Sequence, residues 1–312
     1  MQLLRALSDG QFHSGEALGS MLGVSRAAVW KQIQQIEADF DIVVDRVRGK
    51  GYRLASPIDL YRADIAALAK VPLYVHWALP STNSVALQCL ADGKSAPMAV
   101  LAERQTAGRG RRGRGWESGF AENLCLTYVH PMQGGAARVE GASLAIGCAV
   151  VRVLRGIGVP SVQLKWPNDV ITAQGKLAGI LIELHGDLSD CFHLVIGVGV
   201  NVNARHGIEV DQPWTSCRRL TGKSVDRSSF ALEVIEQVQT VMRQFDVEGF
   251  AAFKDEWLDN AAWLGEQVEL SGGAVIAGTL MGIDQRGALI VATDEGQQVV
   301  AGGELSLRRR QA

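Results

Sequence analysis

Between Arg104 and Trp116 the chain carries five arginines and no acidic residue, most of them in the run GRGRRGRGW, Gly108 to Trp116. Glycine lets backbone N–H groups come close to a ligand and tolerates positive φ, while guanidinium groups are permanent planar donors that match carboxylate or phosphate. The run therefore reads as a cradle for an anion. It is not a P-loop, because no GK[ST] follows, and its GxGxxG spacing lacks the preceding strand turn and following apolar helix of a dinucleotide fingerprint. A disordered basic linker or an RGG-like RNA tail would share this composition. Against both, strand-like apolar stretches flank the run and Trp116 closes it.

A second dense stretch, LKWPNDVITAQGKLAGILIE, spans Leu164 to Glu183. Lys165 ends a strand-like run and is framed by Trp166 and Pro167. Asn168 and Asp169 suit a turn cap or a cation, and Lys176 follows a glycine turn. A proline-anchored turn with two surface lysines is the plain alternative. It suits Lys176 better than Lys165, whose run is apolar enough to enter a core.

Elements able to position these groups are legible along the chain. At 312 residues it exceeds the roughly 250–300 at which single cores stop growing, so more than one module is expected. A hydrophobic content of 47% and a net charge of −2 describe a globular protein whose anion sites must be local. The five cysteines are scattered without CxxC spacing, which fits reduced, mostly buried thiols and offers no pattern for a catalytic one. No apolar run reaches bilayer length and MQLLRALSDG lacks the build of a secretory signal, so a cytoplasmic location with no membrane partner is expected.

Residues 1–57 read as three helices and a hairpin. Ser14 and Ser25 can cap the second and third helices; in the third, Val29, Ile33, Ile36 and Phe40 recur at helical spacing and leave Arg26, Lys31 and Gln34 free. The alternating DIVVDRVRGKGYRL then places Arg46, Arg48 and Lys50 around the tip of a wing. The order resembles a winged helix-turn-helix DNA-binding domain, with Ser25 to Asp39 as recognition helix. A helical cap with solvated charges, or a protein-docking module, is the alternative. Residues 58–266 alternate strand-like runs with long amphipathic helices, near Arg138 to Ile157 and Ser228 to Phe245, and hold both chemistry-bearing motifs. Residues 267–312 carry only short strand candidates, as a small barrel docked on the central domain would.

PSTNS, GRGRRGRGW, KWPNDV and KLAGILIE in this order, with a terminal GGELSLR, resemble the biotin protein ligases across essentially the whole chain. With the helix-turn-helix segment ahead, the likeness is to the bacterial bifunctional members that also repress a biotin operon. The resemblance implies an α+β multidomain fold: a winged helix-turn-helix, a central domain similar to class II aminoacyl-tRNA synthetases and lipoate ligases, and an SH3-like C-terminal barrel. It implies ATP and biotin as substrates with Mg2+, biotinyl-adenylate as intermediate, and transfer to a lysine of the acceptor domain of acetyl-CoA carboxylase. It implies also a homodimer promoted by the adenylate and bound to operator DNA.

By motif position the resemblance assigns Ser81, Thr82, Asn83, Gln105, Arg109, Gly110, Arg111, Arg112, Lys165 and Gly179 to biotin. Arg111 and Lys165 are the cations expected to carry the chemistry. Trp116, Asn168, Lys176, Asn201, Trp214 and Arg308 are assigned to ATP or the adenylate, Asp169 to a metal or to the base of the transfer step, and Ser25, Arg26, Lys31, Gln34, Arg48 and Lys50 to DNA. The chain departs from many relatives at Gly115, where Lys or Gln is common, and at Leu79-Pro80, where an acid is common. A ligase with a silent winged domain, a biotin sensor without ligase activity and a lipoate ligase are the competing readings; the last two fit the density of phosphate-facing cations or the winged segment less well.

Overall fold

The computed structural model describes residues 1–205, 212–272, 275–302 and 305–310; residues 303–304 of the terminal motif lie outside them. Helices α1 (Gln2–Leu7), α2 (Gly15–Leu22) and α3 (Arg26–Phe40) precede a hairpin of β1 (Val44–Val47) and β2 (Gly51–Leu54). Both expected caps form: Ser14 Oγ accepts from the Ala17 N–H at 3.0 Å and Ser25 Oγ from the Ala28 N–H at 3.2 Å. The predicted stripe of α3 is buried, but this small core is completed from outside. The Phe40 ring lies 4.3 Å from that of Phe120 and 6.5 Å from that of Trp77, and Leu60, Phe120 and Ala121 belong to the same apolar cluster. The winged module is thus seated on the central domain.

The central domain runs α4 (Ile65–Leu68), β3 (Leu73–Leu79), α5 (Thr82–Ala91), β4 (Met98–Gln105), the short pair β5 (Gly108–Arg109) and β6 (Gly115–Trp116), then β7 (Leu124–Gln133), α6 (Ala142–Gly156), β8 (Gln163–Lys165), β9 (Asp169–Thr172), β10 (Gly175–Gly186), β11 (Cys191–Val200), α7 (Cys217–Thr221), α8 (Arg227–Glu248) and α9 (Lys254–Asp259). Seven strands form one sheet in the order β3-β4-β7-β11-β10-β9-β8, antiparallel except for β3 with β4. Period-two alternation divides its faces. Along β7, Leu124, Leu126 and Tyr128 pack into the core that holds α6 and α8, whereas Cys125 and Val129 pack with α5.

The helix expected over Arg138 to Ile157 is divided: a 3-10 turn at Ala136–Val139 is followed by α6. Gly141 breaks it, at φ +76 and so close to Phe250 that a Cβ would sit 2.4 Å from the ring. Strands β12 (Gln267–Ser271), β13 (Ile276–Ile283), β14 (Leu289–Thr293), β15 (Gly296–Val300) and β16 (Ser306–Arg309) form a second antiparallel sheet. Val268, Leu270, Leu280, Leu289 and Val291 share the central core, which explains how so short a segment stays ordered. Cys125, Cys148 and Cys217 are buried, and burial pushes their thiols up to about 11, 12 and 12, away from nucleophilic use. Cys191 alone is exposed among the five. Among the described residues no helix is long and apolar enough to cross a membrane.

Candidate active site

The GRGRRGRGW run is a β-hairpin. Gly108 pairs with Trp116 and Arg109 with Gly115, and the Gly110 N–H donates to Arg114 O at 2.7 Å across the turn. It lies over a cleft on the α5 side of the sheet, whose lining includes Ser81, Thr82, Asn83, Gln105, Arg109, Gly110, Arg111, Trp116, Asn168, Lys176, Gly179, Asn201 and Trp214. Residues from eight separate stretches of sequence thus converge.

Glycines pave the floor because large groups rest on it. Gly197 and Gly199 of β11 are two apart and share a face; Gly199 pairs with Gly179 of β10, and Gly197 with Thr127 of β7. A Cβ at 199 would come within 2.6 Å of the Trp116 indole, and one at 197 within 2.6 Å of Asn83 Oδ1. The Trp116 indole N–H is buried and has no acceptor among the described residues.

One end of the cleft is lined by hydroxyl and amide side chains that hydrogen-bond to one another. Gln105 Oε1 accepts from the Thr82 N–H at 2.7 Å and from its hydroxyl at 3.1 Å, taking over the cap at the start of α5. The buried Thr127 hydroxyl donates to Asn83 Oδ1 at 2.6 Å and lies 2.8 Å from that of Thr82. Asn83 Nδ2 donates to Glu183 Oε2 at 2.7 Å, and the same oxygen accepts from Arg109 Nη2 at 2.8 Å. Thr127, Glu183, Gly197 and Gly199 were not singled out from the sequence. The alternate glycines of GVGV were the available signal, since glycine inside a strand marks close approach by another group.

The other end is cationic. Arg111 Nη1 donates to Asn168 Oδ1 at 3.2 Å, and Asn168 Nδ2 to Ile180 O at 2.7 Å. Lys176 Nζ lies 2.7 Å from Asp169 Oδ1 and 5.7 Å from the Trp116 ring centre. Lys165, expected as the principal cation, is not brought into this lining. Its Nζ stands 3.6 Å from Asp169 Oδ2 and 5.5 Å from the Trp263 ring, so it shares with Lys176 the carboxylate of Asp169. Burial moves its ammonium below the ordinary lysine range; Asp169 opposes that shift, and Lys176 and Arg114 add to it. The KWPND frame is held by the C-terminal sheet's loop, because the buried Trp166 donates its indole N–H to Gly287 O at 3.0 Å.

The two oxygens of Asp169 face two ammonium groups, Lys165 Nζ at 3.6 Å and Lys176 Nζ at 2.7 Å. Among the described residues no cluster of three His, Cys, Asp or Glu side chains could hold a metal. Arg112 stands at the hairpin tip at φ +60 and is exposed outside the cleft. Arg308 is exposed on β16 opposite Glu269, also outside it. Asn201 does line the cleft, but its amide nitrogen donates to Thr215 O at 3.0 Å and so ties the wall together. Trp214 lies in the wall with the Arg219 guanidinium 4.7 Å from its ring.

On the winged module Ser25, as cap, and Arg26, Lys31, Gln34, Arg48 and Lys50 are all exposed. Trp30, 44% exposed on α3, joins that face unforeseen. Arg46 does not: it is ion-paired to Glu37 of α3 and anchors the wing to the helix.

Residues 77–201 match the model of the biotin/lipoate A/B protein ligase family, residues 1–53 that of an HTH domain and residues 264–308 that of the biotin protein ligase C terminal domain. The chain is 39% identical to the bifunctional ligase/repressor BirA of Escherichia coli, covering 99% of this chain and 97% of that protein. It is 37% identical to a biotin--[acetyl-CoA-carboxylase] ligase of Paracoccus denitrificans over 72% of this chain and 96% of that one. Its fold superposes on biotin protein ligase from Aquifex aeolicus in complex with biotin and ATP with TM-score 0.69 and 31% identity, covering 77% of this chain and 100% of the other.

Proposed function

The chain belongs to the biotin/lipoate A/B protein ligase family, and from that premise we infer that it is a bifunctional biotin protein ligase and operon repressor. It activates biotin with ATP to biotinyl-adenylate and passes biotin to a protein lysine. The observation that carries the assignment of the site is the cationic hairpin seated over a cleft with hydroxyl and amide side chains at one end and cations at the other.

Biotin's ureido ring is neutral and rich in donors and acceptors, and suits the Ser81, Thr82, Asn83 and Gln105 end. Its carboxylate then extends toward Arg111 and Lys176. A carboxylate oxygen attacks the α-phosphorus of ATP, the new O–P bond forms as the bond to pyrophosphate breaks, and two anions must be brought together. Arg111, Lys176 and the hairpin N–H groups offset that repulsion and stabilise the charge gathering on the phosphorus oxygens. Lys165, on the other oxygen of Asp169, adds a second cation for the carboxylate or adenylate oxygens. Trp116 and Trp214 offer flat faces to adenine. Magnesium is taken as entering with the nucleotide phosphates, as part of the substrate. The acceptor amine then attacks the mixed anhydride carbonyl and AMP leaves.

A neighbouring cavity of about 610 Å³ shares Arg111, Asn168 and Leu181 with the cleft and opens between β10 and the C-terminal sheet. It has room for more than one side chain, and the lysine of an acetyl-CoA carboxylase acceptor domain is proposed to enter there. The exposed face of α3 with Arg48 and Lys50 binds operator DNA, as a homodimer whose formation the adenylate favours by ordering the hairpin. Work on DNA and on an acceptor enzyme supports a cytoplasmic location. The test is incubation with biotin, ATP and an acceptor domain, with footprinting of the biotin operator in parallel. One biotin on one acceptor lysine and adenylate-dependent protection are expected; biotinylation without protection at any adenylate concentration would leave a ligase with a silent winged domain.

A further inference from the structure

Two arginines of the hairpin reach opposite ends of the cleft. Arg111 reaches Asn168, while Arg109 reaches Glu183 on β10. Glu183 Oε2 accepts at the same time from Asn83 Nδ2, and Asn83 reaches it by crossing over Gly197, where any Cβ would meet its Oδ1 at 2.6 Å. Asn83 in turn accepts from the buried Thr127 hydroxyl. One carboxylate oxygen therefore joins the Asn83 end of the cleft to the cationic hairpin. Glu183 has the chemistry for this: an ionised carboxylate is acceptor-only and can hold an amide and a guanidinium together, which no neutral strand residue does as well.

We propose that Glu183 is a positioning residue for the ligase reaction, latching the Arg109 side of the hairpin closed when Asn83 is ordered by the biotin head group. This rests on the ligase reading above and adds to it a means of retaining the intermediate: head-group occupancy fixes Asn83, Asn83 fixes Glu183, and Glu183 holds the lid over the adenylate. Glu183 touches neither reacting atom. It acts through Arg109, so its loss changes how long the adenylate stays and leaves the bond-making cations in place.

The test is the rate of biotinyl-adenylate release from wild type, Glu183→Gln, Arg109→Gln and the double variant. The glutamine of Glu183→Gln keeps the shape and an acceptor for Asn83 and loses the charge. The Arg109 side chain is 43% and Glu183 27% exposed, so the pair is of the weak, solvated kind and the expected acceleration by Glu183→Gln is about two- to five-fold. In the Arg109→Gln background the same change is expected to add nothing, and the melting temperature to stay as in wild type. A merely structural Glu183 would act equally in both backgrounds, and that result overturns the latch. Salt gives a second reading on unmodified protein: at about 1 M, where the Debye length is about 3 Å, wild-type release should quicken toward that of Glu183→Gln. Salt-insensitive release in wild type also overturns it. A wild type that forms no adenylate from biotin and ATP would sink the ligase reading itself, a distinguishable failure.

Discussion

Replacing Gly199 by alanine asks whether the cleft floor is shaped for Trp116. If that glycine were present only for backbone freedom, alanine inside a strand would stabilise the protein by about 0.4–1 kcal/mol, since no positive φ is required there. The geometry gives the opposite sign. The new methyl would lie 2.6, 2.7 and 3.0 Å from three atoms of the indole, closer than nonbonded atoms allow, so the ring must lift off β11. Overpacking of this kind costs about 1–3 kcal/mol. Trp116 sits on a two-stranded hairpin whose turn, Arg112 to Arg114, is exposed, and it can yield by rising rather than by unfolding the sheet. The cost should therefore appear in ligand binding: adenylate affinity should fall by about 5- to 150-fold with the melting temperature little changed. Gly197→Ala, which instead meets Asn83 at 2.6 Å, should raise the KM for biotin more than that for ATP. Titration of both variants with adenylate, beside thermal melts, checks this. Wild-type affinity in Gly199→Ala, or a gain in stability without loss of binding, would refute the account of the floor.

Burial holds the Lys165 ammonium below the ordinary lysine range, so its charge is present at low pH and lost as pH rises through that lowered value. The alkaline limb of kcat/KM for adenylation should therefore fall at lower pH than an ordinary lysine would set, and Lys165→Arg, whose guanidinium does not titrate there, should move it upward. Asp169→Asn leaves two ammonium groups facing each other and should destabilise by about 1–3 kcal/mol, less than a fully buried pair because both lysines keep some water; denaturant unfolding measures it. On operator DNA, Lys31→Ala should lower the salt slope by about one phosphate contact. Arg46→Ala, whose partner is Glu37, should leave that slope unchanged, and the two salt titrations separate them.

The winged module was legible because its signals are local: Ser14 and Ser25 cap the helices they precede, and an apolar stripe of period 3.6 fixes which face of α3 stays free. The hairpin was legible as a cluster of charge, though not as a β-turn, since glycine and arginine carry no strand propensity. What the sequence withheld is mostly register. Lys165 and Lys176 look alike as lysines near turns, and their order around Asp169 is set by the pairing of β9 with β10, Gly179 opposite Asp169. Glu183 reads as one acid in an apolar strand until Asn83 and Arg109, about a hundred and about seventy positions away in the sequence, are folded onto it. Arg308, assigned to the nucleotide by resemblance alone, stands on β16 opposite Glu269, a register that its sequence neighbourhood does not announce.

In the proposed reaction biotin carboxylate and ATP meet under the hairpin. Exchange of labelled pyrophosphate into ATP, with biotin or lipoate present and with Arg111→Ala beside wild type, tests it directly. Exchange that depends on biotin alone and falls by about a hundredfold or more without Arg111 is the predicted result. Exchange driven by lipoate, by neither acid, or undiminished in Arg111→Ala would contradict it.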